Sequence, residues 1–234
     1  MTGESVLPRG PRPPEETVEM LASFDAATIA EAAGGAGAMC SGIRAVTSVG
    51  HLAGTAFTVQ CRPGDNLAIH RAIYMAEPGD VLVVAVDGHT EAGLWGEIMT
   101  VAATERGIKG LVTDGAVRDI DAINRLGFPV FARAVCMRGT RKEDLGTVAQ
   151  PISIGGVAVS PGDVVIGDSD GIVVVPQHRA AEVCDLSRLR QEKEEVIKRQ
   201  LREGKSTLEL YGLDAKIPRG SRGLYSPASS DGVR

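Results

Sequence analysis

GEIMTVAATERGIKGLVTDGAVRD, residues 96–119, decides how the whole chain is read. It divides into a helix from about Gly96 to Glu105, a strand in KGLVTD, and the start of a second helix from about Arg118 to Leu126. FPVFARA, 128–134, reads as the next strand. Working backwards, VLVVAV (81–86) is the continuous apolar run of a strand buried on both faces. DNLAIHRAIYMA (65–76) is a helix capped by Asp65, and GTAFTVQC (54–61) alternates like a half-buried strand. Strand and helix therefore alternate from residue 54 to residue 134, which predicts a parallel or mixed sheet with right-handed crossovers.

Outside this stretch the texture changes. EETVEMLASF and DAATIAEAA read as helices, with Asp25 as N-cap and the Gly34–Gly35 pair as a stop. PISIGG, VAVSPGD, VVIGDSDG and IVVVP (151–176) are short strands between glycine-rich turns, a β-meander in the second half. Residues 178–203 form one long charged helix with a narrow apolar stripe, of the kind that lies against another subunit. The expected organisation is a flexible arm at 1–13, one α/β domain at 14–213 and a loose tail at 214–234. AGGAGAMC follows a helix, so it is no dinucleotide fingerprint.

Composition narrows the function. With 43% hydrophobic and 24% charged residues the chain has material for a substantial core, and 25 basic against 30 acidic residues leave a net charge of −5. No broad basic surface awaits a phosphate backbone, and with 3% aromatic residues there are few platforms for stacked bases, so nucleic acid is not an expected partner. Cys40, Cys61, Cys136 and Cys184 lack zinc or redox spacing and are expected to be buried, reduced thiols. The N-terminus lacks a signal pattern, and no window approaches the roughly 18 uninterrupted apolar residues of a membrane helix, so a cytoplasmic protein is expected.

Glu97 starts the helix after one predicted strand, and Arg118 and Asp119 start the helix after the next. If those strands are parallel neighbours, all three residues share the carboxyl rim of the sheet, where ligands bind in open α/β folds. Two acids and an arginine beside helix N-termini suit a hydrated divalent cation and an anionic substrate. The same charges also fit a plain capping acid at Glu97 and a surface Arg118–Asp119 pair. Asp114, Asp168 and Asp170 flank or precede glycine and read as turn acids.

An acid, twenty intervening residues and then Arg-Asp resembles the signature of the class II pyruvate aldolases acting on 4-hydroxy-4-methyl-2-oxoglutarate and 4-carboxy-4-hydroxy-2-oxoadipate, which share a fold with RraA-like regulators of ribonuclease E. The resemblance runs from about Thr28 to Tyr211, through PGDNLAIHRAI, PGDVLVV, GTRKEDLGTV and PGDVVIGDSDGIVVVP. It implies a single RraA-like, swivelling β/β/α-type domain with a mixed central sheet, active as a homotrimer or a dimer of trimers with sites at subunit interfaces. It further implies Mg²⁺ or Mn²⁺ bound directly by Asp119, with Glu97 and Glu194 in the outer shell through water. Arg118, Glu97, His70 and Glu31 would be catalytic, and Arg118, Asn66, Lys142 and Ile98 would bind a 2-oxo dicarboxylate. Glu31 and Glu194 would reach the site from an adjacent subunit. Where Glu97 stands, these aldolases usually carry Asp, so the additional methylene bears on metal preference.

Release of pyruvate passes through an enolate, which needs a lysine Schiff base or a Lewis-acid metal. Lys109 precedes its strand and so lies at the opposite edge, while Lys193, Lys198, Lys205 and Lys216 fall in the charged helix or tail, which favours the metal. Oxaloacetate decarboxylation shares that enolate and is expected as a side activity. The alternatives are a non-catalytic regulator binding ribonuclease E or a helicase, and a lyase or decarboxylase for another 2-oxo acid.

Overall fold

The computed structural model describes residues 12–217, so most of the expected arm and tail lies outside the described residues. In chain order come helices α1 (Glu15–Ala22) and α2 (Ala26–Ala32), strands β1 (Arg44–Ala45) and β2 (Leu52–Gln60), helix α3 (Leu67–Met75) and strands β3 (Asp80–Ala85) and β4 (Gly93–Trp95). Helix α4 (Glu97–Glu105), strands β5 (Gly110–Thr113) and β6 (Ala116–Val117), helix α5 (Ile120–Leu126) and strands β7 (Val130–Ala132), β8 (Ala134–Val135) and β9 (Thr147–Val148) follow. Strands β10 (Ile152–Ile154), β11 (Val157–Val159), β12 (Val164–Gly167) and β13 (Ile172–Val175) precede helices α6 (Ala180–Arg202) and α7 (Thr207–Leu210). Two compact units meet the eye, divided between Ser187 and Arg188.

The first unit is built on a mixed sheet in the order β1-β7-β5-β3-β2-β12-β13, with β9 also paired to β2. β2, β3, β5 and β7 are mutually parallel, and β1, β12 and β13 are antiparallel to their neighbours. Alternation along β3 explains the apolar run. Leu82 and Val84 face one core with α3, α4 and α5, while Val81, Val83 and Ala85 face a second core with the β10–β11 hairpin. At the other end, Val164, Ile166, Val173 and Val175 pack under α1, α2 and the start of α6. In α6 the buried positions Ala180, Val183, Cys184 and Ser187 recur at helical spacing.

Several details differ from the sequence reading. β2 is buried over most of its length and not half-buried, because Phe57 and Val59 face one core while Leu52 and Ala56 face another. The four late strands are present but pair as two hairpins, of which only β12–β13 joins the main sheet. Asp25 occupies the N-cap of α2 without a side-chain capping bond. The Ala26 N–H donates instead to Asp168 Oδ2 at 2.7 Å, so a presumed turn acid caps a helix distant in sequence. All four cysteines are free, but Cys40 is exposed and Cys136 half-buried. Burial, followed by Asp65, pushes the Cys61 thiol up to about 12, which leaves it inert at neutral pH.

A second sheet was invisible in the sequence. β4, β6 and β8 form a parallel three-stranded sheet beyond the carboxyl ends of β3, β5 and β7. Segments of two or three residues carry no readable periodicity. Asp114 joins the layers: its buried carboxylate accepts the Val86 N–H at 2.7 Å and the Gly88 N–H at 2.9 Å. Burial raises the Asp114 pKa, against the pull of those two N–H groups and Arg133.

At the amino edge, Arg12 pairs with the buried Asp80 and donates to Thr55 Oγ1 at 2.7 Å and Glu77 Oε2 at 2.8 Å. Removing the guanidinium leaves a buried carboxylate with fewer donors. Arg12→Ala is therefore expected to lower stability by about 2 kcal/mol, read as a fall in the urea midpoint without a change in slope.

Candidate active site

The rim is set by the small sheet and not by the main one. β4 leads through Gly96 into α4, placing Glu97 at the first helical position; β6 leads through Arg118 to Asp119, the N-cap of α5. β4 and β6 are parallel neighbours, paired Gly93 to Ala116 and Trp95 to Val117. The three charges thus meet as expected, although the strands that bring them together were not foreseen. Asp119 has left-handed backbone angles, φ 60° and ψ 36°, which cost an L-residue roughly 1 kcal/mol and are best tolerated by Asp, Asn and Gly. This turn aims the carboxylate back at the neighbouring helix start.

Asp119 Oδ2 accepts the Glu97 N–H at 3.1 Å and lies 3.5 Å from Arg118 Nε. Both side chains are nearly half exposed, so this ion pair contributes little to stability and is open to exchange for a ligand. A Cβ at Gly96 would stand 2.4 Å from Asp119 Oδ2 and 3.2 Å from Arg118 Nε. Gly93 is closed in the same way, 3.1 Å from Arg118 Cβ. These two glycines let the Arg-Asp pair lie against the strand end. Trp95 secures the position: buried, it stacks on Phe128 with ring centroids 5.9 Å apart and donates from Nε1 to Thr100 Oγ1 at 2.7 Å, which in turn donates to the Gly96 carbonyl at 3.0 Å.

Glu97 and Asp119 line a shallow cleft of about 550 Å³ with Asp121, Arg125 and Val135. Among the described residues no three His, Cys, Asp or Glu side chains converge in a cage. A divalent cation that keeps most of its waters still fits this donor set: Asp119 Oδ1 has no described hydrogen-bond donor, and Glu97 is exposed beside it. Ile98 is 79% exposed in the first turn of α4, where its N–H has no described acceptor.

Asn66 is buried behind this rim. Its Nδ2 donates to the Leu94 carbonyl at 2.8 Å, and its Oδ1 is buried with no partner among the described residues. His70 lies one turn on, its backbone N–H bonded to the Asn66 carbonyl at 3.2 Å. Burial, then the charge of Lys142, lowers the His70 pKa from the ordinary 6.5. Asp65 explains that meeting, and sequence reasoning saw in it only a cap. Its two oxygens accept the N–H groups of Leu67 at 2.9 Å and Glu143 at 2.8 Å, tying the Lys142 loop to the start of α3. Although burial opposes it, the N–H groups of Leu67, Glu143 and Asp144, with Arg141 nearby, hold the Asp65 carboxyl below its usual range.

Glu31 is exposed on α2, which packs against β13 and does not line the shallow cleft. Glu194 belongs to the second unit, where its Oε1 is 3.0 Å from Arg190 Nε. The resemblance assigns both to the site of an adjacent subunit.

Because the folded His70 pKa is depressed, the unfolded chain takes up the proton first as pH falls. The contribution of His70 is therefore complete above the unfolded value near 6.5 and is lost on acidification towards the folded value. Lys142→Gln should move the His70 titration upward, followed by imidazole NMR shifts; an unmoved titration would mean the two side chains do not interact. Gly96→Ala should displace the Asp119 carboxylate and break its bond to the Glu97 N–H, read as a shift of the Glu97 amide resonance while circular dichroism stays native.

The comparisons with known proteins agree with this architecture. Residues 26–174 match the RraA-like family, described as Aldolase/RraA. A protein of Halalkalibacterium halodurans named "Putative 4-hydroxy-4-methyl-2-oxoglutarate aldolase" is 35% identical over 183 residues, covering 78% of this chain and 87% of its own. A crystal structure of an uncharacterized Pseudomonas syringae protein superposes with a TM-score of 0.76 at 32% identity, covering 86% of this chain and 98% of the other. Streptomyces coelicolor RraAS2, described as an unusual member of the RNase ES inhibitor RraA protein family, gives 0.72 at 29% identity, covering 81% and 100%. With its family model taking in nearly all of the main sheet, the crossover helices and the Glu97–Asp119 rim, the chain belongs to the RraA-like family.

Proposed function

We propose that the chain is a class II pyruvate aldolase that cleaves 4-hydroxy-4-methyl-2-oxoglutarate or 4-carboxy-4-hydroxy-2-oxoadipate, with oxaloacetate decarboxylation as a side activity. One observation carries the reading: Glu97, Arg118 and Asp119 adjoin at one rim, and Gly96 leaves no side chain between them. The aldolase name of the H. halodurans relative supports it.

Mg²⁺ or Mn²⁺, held by Asp119 with Glu97 beyond its waters, would supply Lewis-acid polarisation of the 2-oxo acid. Arg118 exchanges its contact with Asp119 for the substrate's keto oxygen and stabilises the charge that develops there. The Ile98 N–H at the helix start donates to the adjacent carboxylate. Cleavage removes the proton of the substrate hydroxyl and breaks the bond between the hydroxyl-bearing carbon and its methylene neighbour. The electron pair passes to the keto oxygen as the enolate of pyruvate, which then takes a proton at carbon. His70, kept neutral by burial and Lys142, has the state required to accept the hydroxyl proton. Asn66, held by the Leu94 carbonyl, lines the pocket one turn from His70, and Lys142 meets the distal carboxylate. Glu31 and Glu194 are assigned to the edge of a neighbouring subunit's site in a trimer or dimer of trimers.

A coupled pyruvate assay on oxaloacetate and both aldol substrates, with Mg²⁺, Mn²⁺ or EDTA, tests the reading. Pyruvate release should be EDTA-sensitive, and Arg118→Ala or Asp119→Ala should each lower kcat/KM by about 100-fold or more; unchanged rates would sink the assignment. The S. coelicolor neighbour is described within an inhibitor family, so capture of ribonuclease E or a helicase, with no EDTA-sensitive pyruvate release, would favour the regulator instead.

A further inference from the structure

A second cleft of the first unit, about 580 Å³, lies at the opposite edge of the main sheet, among the amino ends of the parallel strands. One wall is α1, presenting Glu15, Val18, Glu19 and Ala22; the other is the starts of β2 and β5, with His51, Leu52 and Lys109. Its volume suits a small molecule. Glu15 and Glu19 are one helical turn apart and share a face. Lys109 and His51 are exposed and have no ion-pair partner among the described residues, whereas Arg12 at the same cleft is already engaged by Asp80 and Glu77. Val18, Ala22, Val49 and Leu52 supply the apolar lining between the acidic and basic walls.

Acids on one wall, a lysine and a histidine on the other and an apolar middle describe the complement of a particular ligand class. We propose that this cleft binds a zwitterion with an apolar body, an amino acid of the leucine type, with its ammonium towards Glu15 and Glu19 and its carboxylate towards Lys109 and His51. Nothing in the proposed aldolase chemistry uses these residues. A ligand here would bridge α1 to the starts of β2 and β5, elements that otherwise meet through α1–β2 packing.

The test uses the full chain and three probes of one shape: L-leucine, 4-methylpentanoate, which lacks the amine, and 3-methylbutylamine, which lacks the carboxylate. In methyl NMR titrations leucine should give saturable shifts at Val18 and Leu52, and each truncated probe should bind about tenfold more weakly. Lys109→Met should weaken leucine and 4-methylpentanoate but leave 3-methylbutylamine unchanged, and Glu19→Gln should weaken leucine and the amine only. Both variants should keep the wild-type circular dichroism spectrum, since these side chains make no described contact. Equal binding of all three probes, saturable shifts confined to methyls elsewhere, or no saturable shift with leucine would each overturn the proposal.

Discussion

Strand β3 has no face left for water, and the rest of the first unit follows from that. A central strand with Leu82 and Val84 on one side and Val81, Val83 and Ala85 on the other requires a cover on each. Three crossover helices provide one and the β10–β11 hairpin the other. Polar atoms are thereby driven to the two ends of the parallel strands. Chemistry at an end needs something to hold it, and the two ends solve this differently. At the amino edge Arg12 and Asp80 form a local clamp; at the carboxyl edge the chain adds the small β4–β6–β8 sheet.

That added sheet converts sequence distance into contact. Glu97 and Asp119 stand apart in the chain, yet the Asp119 carboxylate reaches the Glu97 N–H because β4 and β6 run side by side. The geometry is maintained from below by Trp95 on Phe128 and from beside by the absence of a side chain at Gly96. Left-handed backbone angles at Asp119 cost free energy that ordinary capping would not require, since a helix cap is satisfied in the extended region. They turn the Asp119 carboxylate away from its own helix and onto the Glu97 N–H, so that it caps the start of α4 as Asp168 caps that of α2.

Much of this was legible in the chain. VLVVAV announced a strand buried on both sides, and the alternation of strand and helix announced the parallel core. The Glu97 and Arg118–Asp119 rim followed from topology. What escaped was whatever depends on contacts between distant segments. GLW, AV and AV are too short to carry a period, so the second sheet left no trace. Asp168 looked like a turn residue because its partner, the Ala26 N–H, is far away in sequence. Cys40 and Cys136 have nothing around them in sequence that distinguishes them from the buried Cys61 and Cys184.

The two bonds accepted by Asp65 have a consequence for how such a site changes specificity. The segment bearing Lys142 is anchored to the start of α3 through Asp65, and the Asn66 N–H donates to the Arg141 carbonyl at 3.1 Å. Loop and helix therefore behave as one piece, with the lysine's position dictated by the Asp65 carboxylate and the Asn66–Arg141 backbone bond. Transplanting the 139–146 loop from a relative would carry its charge but not its address. For the proposed aldolase, substrate preference should diversify in correlated blocks, loop and helix start together, and not by exchange of single side chains along the rim.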